Sequence, residues 1–199
     1  MALTPQRTSL RKRTTKETDI ALELSIDGSG TYEISTGIGF FDHMLTALAV
    51  HGALDMRLLA EGDLQVDGHH TIEDCGIVLG QGIQESLGDK VGIARYGSML
   101  LPMDDALALV ALDLSGRPYL KFDAVFPQPW IGTYDTALTK EFFQALAYHG
   151  GMTLHIRLME GENSHHACEA IFKAFAHAFR QAVAIRGQDG PLSSKGVLG

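Results

Sequence analysis

Two segments carry residue types that bind metal ions: His69-His70-Thr71-Ile72-Glu73 and His165-His166-Ala167-Cys168-Glu169. In each, a glutamate follows the second of two adjacent histidines by three residues. On a helix that imidazole and carboxylate lie one turn apart on the same face. Four of the nine histidines sit in these pairs. Composition alone gives roughly 0.4 adjacent histidine pairs, and a glutamate at a fixed third position lowers that about twentyfold, so two complete copies are a built feature. Neighbouring histidines at a helix start point about 100° apart and do not readily share one ion. Each pair is therefore expected to serve two sites, bridging either halves of the chain or subunits.

The elements that position these motifs occur twice. Residues 7–16 and 18–27 read as strands, with Ile20, Leu22, Leu24 and Ile26 alternating at period two. After the turn Gly28-Ser29-Gly30, residues 31–36 read as a third strand, giving a hairpin or meander. Phe41, Met44, Leu45, Leu48 and Ala49 predict a helix over 40–51 ended by Gly52, and a strand follows over 53–60. The first motif then opens a helix running to Gly88. Its glycines Gly76, Gly80 and Gly82 each cost up to about 1 kcal/mol relative to alanine, which predicts close helix packing.

The same order follows in the second half: strands over 93–101, 105–113 and 118–125, a helix over 134–149, a strand over 152–159, and the second motif helix to 186. Asp19-Ile20-Ala21 aligns on Asp105-Ala106-Leu107, and Ala49-Val50-His51-Gly52 on Ala147-Tyr148-His149-Gly150. The expected class is α+β, with two sheet-and-helix-pair units, residues 1–90 and 91–186, packed through their helices around a pseudo-two-fold axis. Helices then lie between two sheets. Residues 187–199 form a loop-like tail containing Leu192-Ser193-Ser194-Lys195-Gly196, groups suited to phosphate.

In this repeat His43 falls on Glu141, so each half offers one ligand early and three later. The candidate set is His43, His69, His70, Glu73, Glu141, His165, His166 and Glu169. Eight donors suffice for two ions with positions left for substrate. Imidazole and carboxylate without thiolate suit Mn, Fe, Zn or Ni rather than Ca or Mg.

Composition narrows the partners. The chain has 199 residues, 45% hydrophobic, enough to bury a substantial core. A formal charge of −8 disfavours nucleic acid and leaves a small molecule as the expected partner. No apolar run approaches the roughly twenty residues of a membrane span, and no signal peptide is legible. Two cysteines, Cys75 and Cys168, make no disulfide framework and fit a soluble protein of the reducing cytoplasm. They read as small buried residues, and Phe172, Phe175 and Phe179 as a core stripe. His51, His149, His155 and His177 have no carboxylate at metal spacing and read as ordinary side chains.

The chain resembles the imidazoleglycerol-phosphate dehydratase family over nearly its whole length. The resemblance rests on Arg13-Thr14-Thr15-Lys16-Glu17-Thr18, Gly39-Phe40-Phe41-Asp42-His43-Met44-Leu45, Asp67-Gly68-His69-His70-Thr71-Ile72-Glu73-Asp74, Leu114-Ser115-Gly116-Arg117-Pro118, Ser164-His165-His166-Ala167-Cys168-Glu169-Ala170, Phe172-Lys173-Ala174 and Ser193-Ser194-Lys195-Gly196. It implies a duplicated fold like the second domain of ribosomal protein S5, a 24-subunit homo-oligomeric shell, and two Mn ions per active site at subunit interfaces. The implied lyase reaction, a step of histidine biosynthesis, converts imidazole glycerol phosphate to imidazole acetol phosphate. Two metals on the ring nitrogens would stabilise an imidazolate as a carbon-bound proton leaves. Glu17, Glu73 and Glu169 become the acid–base candidates, Glu17 foremost because it is not primarily a ligand. Arg95, Arg117, Lys173, Ser193 and Lys195 match positions expected to hold substrate phosphate. Glu141 departs from the pattern, since many members have histidine there. Two rival readings use the same ligands: a two-metal phosphohydrolase, and a structural protein whose metals only join subunits.

Overall fold

The computed structural model describes residues 7–187, 190, 192 and 193. Strands β1 (Thr8–Thr14), β2 (Thr18–Ser25), β3 (Tyr32–Ser35) and β4 (Asp55–Gly62) form one four-stranded sheet, with helices α1 (Gly39–Gly52) and α2 (His69–Leu87) against it. Strands β5 (Tyr96–Met103), β6 (Ala106–Asp113), β7 (Tyr119–Asp123) and β10 (Thr153–Glu160) form the second, which carries α3 (Leu138–His149) and α4 (Ser164–Val183). A two-stranded ribbon, β8 (Trp130–Ile131) with β9 (Tyr134–Asp135), precedes α3.

The sheets share one topology. Their orders are β1-β2-β4-β3 and β5-β6-β10-β7, each with two antiparallel pairings and a final parallel one. The parallel pair explains why β3 does not continue a meander. Parallel neighbours need a crossover, and α1 carries the chain from β3 to β4 as α3 carries it from β7 to β10. The sequence marked β3 as a strand but not which strand it pairs with.

All four helices lie between the sheets, α2 meeting α3 and α1 meeting α4. Inward residues of the strands, including Leu22, Leu58, Val110 and Ile156, close on them, and each is at most 1% exposed. Close approach at α2 depends on missing side chains. A Cβ on Gly76 would lie 2.7 Å from the Phe142 carbonyl oxygen, and one on Gly80 would lie 2.8 Å from that of Leu146. The phenylalanine stripe is core, with Phe142 stacked on Phe172 at 5.3 Å.

Three local expectations are corrected. Tyr134 opens no helix: it lies in β9, its ring buried against Phe40 and Phe41 and its hydroxyl 2.9 Å from the Thr139 hydroxyl. Gly52 is the last residue of α1, and Ala53 takes the left-handed turn at φ 52°. Finally, the counterpart of Asp105 is Glu17 rather than Asp19. Each immediately precedes an eight-residue strand, β2 or β6, and the two hairpins pair in the same frame, Thr8 with Ser25 and Tyr96 with Asp113.

Candidate metal centre

Asn163 starts α4 as its N-cap, its side-chain oxygen accepting from the backbone N–H of His165 at 2.8 Å and of His166 at 3.4 Å. One turn on, Glu169 sets Oε2 3.3 Å from His165 Nε2. The packing of α1 on α4 brings in His43, whose Nε2 lies 3.7 Å from the same oxygen. The ligand atoms of His43, His165 and Glu169 all fall within 4.8 Å of one another, the one such metal-competent group among the described residues. Phe40 packs edge-on against His165 at 5.0 Å and walls the cluster.

These residues fit a metal ion. Bonds of about 2 Å from nitrogen and oxygen place neighbouring donors around one ion roughly 3 to 3.5 Å apart, close to the separations here. Burial would raise the Glu169 carboxyl, yet the Lys173 ammonium 2.7 Å from Oε1 and the neighbouring imidazoles hold it below its ordinary value, so a charged carboxylate faces the two imidazoles. Cys168 faces inward, its thiol pushed up to about 12 by burial, and supplies no thiolate.

In the first motif His69 Nε2 lies 3.8 Å from Glu73 Oε2. Glu141, in the first turn of α3, does not complete a second three-ligand group with them among the described residues. The two rings of each pair diverge, with interplanar angles of 89° for His69 and His70 and 76° for His165 and His166. The second histidines each meet a carboxylate missed by spacing arguments. His70 Nδ1 is 3.0 Å from Asp63 Oδ2, and His166 Nδ1 is 2.5 Å from Asp105 Oδ1. These contacts raise both imidazoles above their ordinary value and hold Asp105 below its own.

Glu17 lies in the β1–β2 turn. Asp74 of α2 fixes that turn, accepting from the Thr18 hydroxyl at 2.5 Å and from Arg13 Nε at 2.9 Å. Glu17 and Asp63 line one open surface cavity of about 340 Å³. The Glu17 carboxylate makes no hydrogen bond or ion pair among the described residues, although its charge reaches His70.

Arg95 is buried at a left-handed φ of 70°, its fork on both oxygens of Asp113 at 2.7 and 3.0 Å. A third donor meets the Leu192 carbonyl oxygen at 2.6 Å, tying the segment beside Ser193 to the second sheet. Arg117 is exposed, 3.9 Å from Asp113. Two guanidiniums thus share one carboxylate, leaving net positive charge. Lys195 lies outside the described residues.

Fold and site together define a duplicated α+β protein with a candidate imidazole–carboxylate metal site. The family model for imidazoleglycerol-phosphate dehydratase matches residues 36–179. The dehydratase of Cereibacter sphaeroides is 56% identical over 188 residues, 94% of this chain and 96% of its own, and that of Lachnoclostridium phytofermentans is 55% identical over 193 residues, 96% and 98%. The Staphylococcus aureus dehydratase structure superposes with a TM-score of 0.82 at 42% identity, covering 89% of this chain and 99% of its own. The Pyrococcus furiosus enzyme, solved in complex with (S)-C348, gives 0.82 at 41%, covering 94% and 100%. The chain belongs to the imidazoleglycerol-phosphate dehydratase family and is an enzyme of that family.

Proposed function

We propose that the chain dehydrates imidazole glycerol phosphate to imidazole acetol phosphate in histidine biosynthesis. The observation that carries this is the His43–His165–Glu169 cluster inside a chain that shares 56% identity with a named dehydratase. The eight donors His43, His69, His70, Glu73, Glu141, His165, His166 and Glu169 would hold two Mn ions per active site. Divergence of the rings within each pair supports their serving different ions. When bound there, metal would supply Lewis acidity able to stabilise negative charge, as an imidazolate, on the substrate ring as a proton leaves the adjacent carbon.

The chain's own groups bind, orient and move protons. Glu17 is the carboxylate assigned to proton transfer, because Glu73 faces His69 and Glu169 is held between two imidazoles and Lys173. Proton removal and departure of the neighbouring hydroxyl as water leave an enol, which becomes the ketone. Arg117, the exposed member of the pair on Asp113, grips phosphate with Lys195, while Arg95 anchors Leu192 beside Ser193. Lys173, 2.7 Å from Glu169 Oε1, is assigned to the substrate as well.

No helix of the described residues is long and apolar enough to cross a membrane. The enzyme acts in the cytoplasm as a homo-oligomer of 24 subunits. Support for assembly comes from the outer face of the second sheet, where the exposed Leu100 and Leu109 are register partners. Metal dependence tests the reading: protein stripped by a chelator should lose turnover and regain it with Mn, whereas full turnover by stripped protein would overturn it.

A further inference from the structure

Each half of the fold carries two carboxylates at corresponding positions, and one of the two meets the second histidine of its motif. In the first half these are Glu17, just before β2, and Asp63, just after β4. In the second they are Asp105, just before β6, and Glu162, shortly after β10. In both halves the backbone N–H of the later residue meets the earlier one, through a backbone carbonyl in the first half and a side chain in the second. The Asp63 N–H donates to the Glu17 carbonyl oxygen at 3.1 Å, and the Glu162 N–H donates to Asp105 Oδ2 at 2.6 Å. A register shift between Leu158 and Glu160 accounts for the extra residue in the second half.

The halves use opposite members. Asp63, the loop carboxylate, bonds His70 Nδ1 in the first half, and Asp105, the turn carboxylate, bonds His166 Nδ1 in the second. Glu17 and Glu162 make no side-chain contact with either ring among the described residues. An ionised carboxylate only accepts, so each ring donates from Nδ1 and, when neutral, carries its lone pair on Nε2, which in His166 lies 3.6 Å from Asp104 Oδ2. That tautomer is the one a metal ion requires, and a carboxylate partner raises ligand basicity as well as fixing the ring.

We propose that Asp63 and Asp105 are the positioning residues of His70 and His166, and that Asp63, by taking this task in the first half, leaves the turn carboxylate Glu17 unengaged for proton transfer. Duplication gave both halves the same pair of positions. Exchange of duties between them makes one turn carboxylate an orienter and its counterpart a base. The inference rests on reading the paired histidines as metal ligands.

Titration of metal-stripped protein with Mn, followed by the electron spin resonance of free Mn, tests it without reference to turnover. Asp63→Ala and Asp105→Ala should each weaken Mn binding about 10- to 100-fold. Asp63→Asn and Asp105→Asn, whose amide oxygen still accepts from Nδ1–H, should recover most of that loss. Glu17→Ala, at the position equivalent to Asp105, should bind Mn as the wild type does. The inference is overturned if Asp63→Ala binds Mn normally, if neither asparagine variant recovers affinity, or if Glu17→Ala loses affinity as Asp105→Ala does. Should an alanine variant fail to fold, the asparagine variants and Glu17→Ala still decide. His70→Ala separates the two levels. Unchanged Mn binding there would remove the ligand reading itself, whereas loss there with a normal Asp63→Ala removes only the positioning role.

Discussion

Lys173 Nζ lies 2.7 Å from Glu169 Oε1, one turn along α4, while the other oxygen of that carboxylate faces the imidazoles of His43 and His165. The ammonium thus fixes which oxygen is offered to a metal. Lys173→Met should therefore weaken Mn binding several-fold as well as raise KM, an outcome that metal titration and steady-state kinetics read separately. A rise in KM with unchanged Mn affinity would restrict Lys173 to the substrate.

Glu17 should be needed for chemistry but not for holding metal. Glu17→Gln should lower kcat by about 10²-fold or more, the ordinary worth of a positioned acid or base, with metal content and melting temperature as in the wild type. Substantial turnover by this variant would move the proton-transfer role to Glu73 or Glu169. It would also revive the reading of a metal-joined structural protein.

His51 Nδ1 meets His177 Nε2 at 3.2 Å between α1 and α4. Burial pushes the His51 imidazole below its ordinary value, with the charges of Lys173 and His177 acting the same way and Glu169 opposing them. The unfolded chain takes up a proton near pH 6.5 while the folded chain resists until lower pH, so stability falls as pH drops through the interval below that value and is unaffected above it. Thermal melts of metal-free protein from about pH 7.5 to about 5.5 should show a larger drop for wild type than for His51→Gln. Parallel drops would contradict this.

Alanine at Gly80 should destabilise despite its better helix propensity. Propensity favours alanine by up to about 1 kcal/mol. The added Cβ would sit 2.8 Å from the Leu146 carbonyl oxygen and from the Gly150 nitrogen, both backbone atoms, so α2 and α3 must part, at about 1–3 kcal/mol. Chemical denaturation checks the sign, and a more stable variant would mean the helix contact yields easily.

Much of this was legible in the sequence because two periodicities and a repeat carry it. Alternation in Ile20, Leu22 and Leu24, and the glycines of α2, wrote the strand faces and the helix contact directly. The partner of β3 was not legible, since alternation is blind to which strand lies alongside. His43 was found only through the repeat, and the structure then brought it to His165 and Glu169. Asp63 and Asp105 escaped because each lies far from its histidine's motif or on another element, with no spacing to mark it. The expected frame placing Asp19 on Asp105 also hid the equivalence of Asp105 with Glu17.

The proposed metals, if held at subunit interfaces, would make assembly depend on them. Chelation should reduce the mass seen by light scattering, and Mn should restore it. A large oligomer of unchanged mass after chelation would place the metals within single subunits.

Product analysis tests the central claim most directly. Mn-loaded protein incubated with imidazole glycerol phosphate should yield the ketone imidazole acetol phosphate with its phosphate intact. Release of inorganic phosphate without ketone would contradict the account and make the same ligands those of a phosphohydrolase.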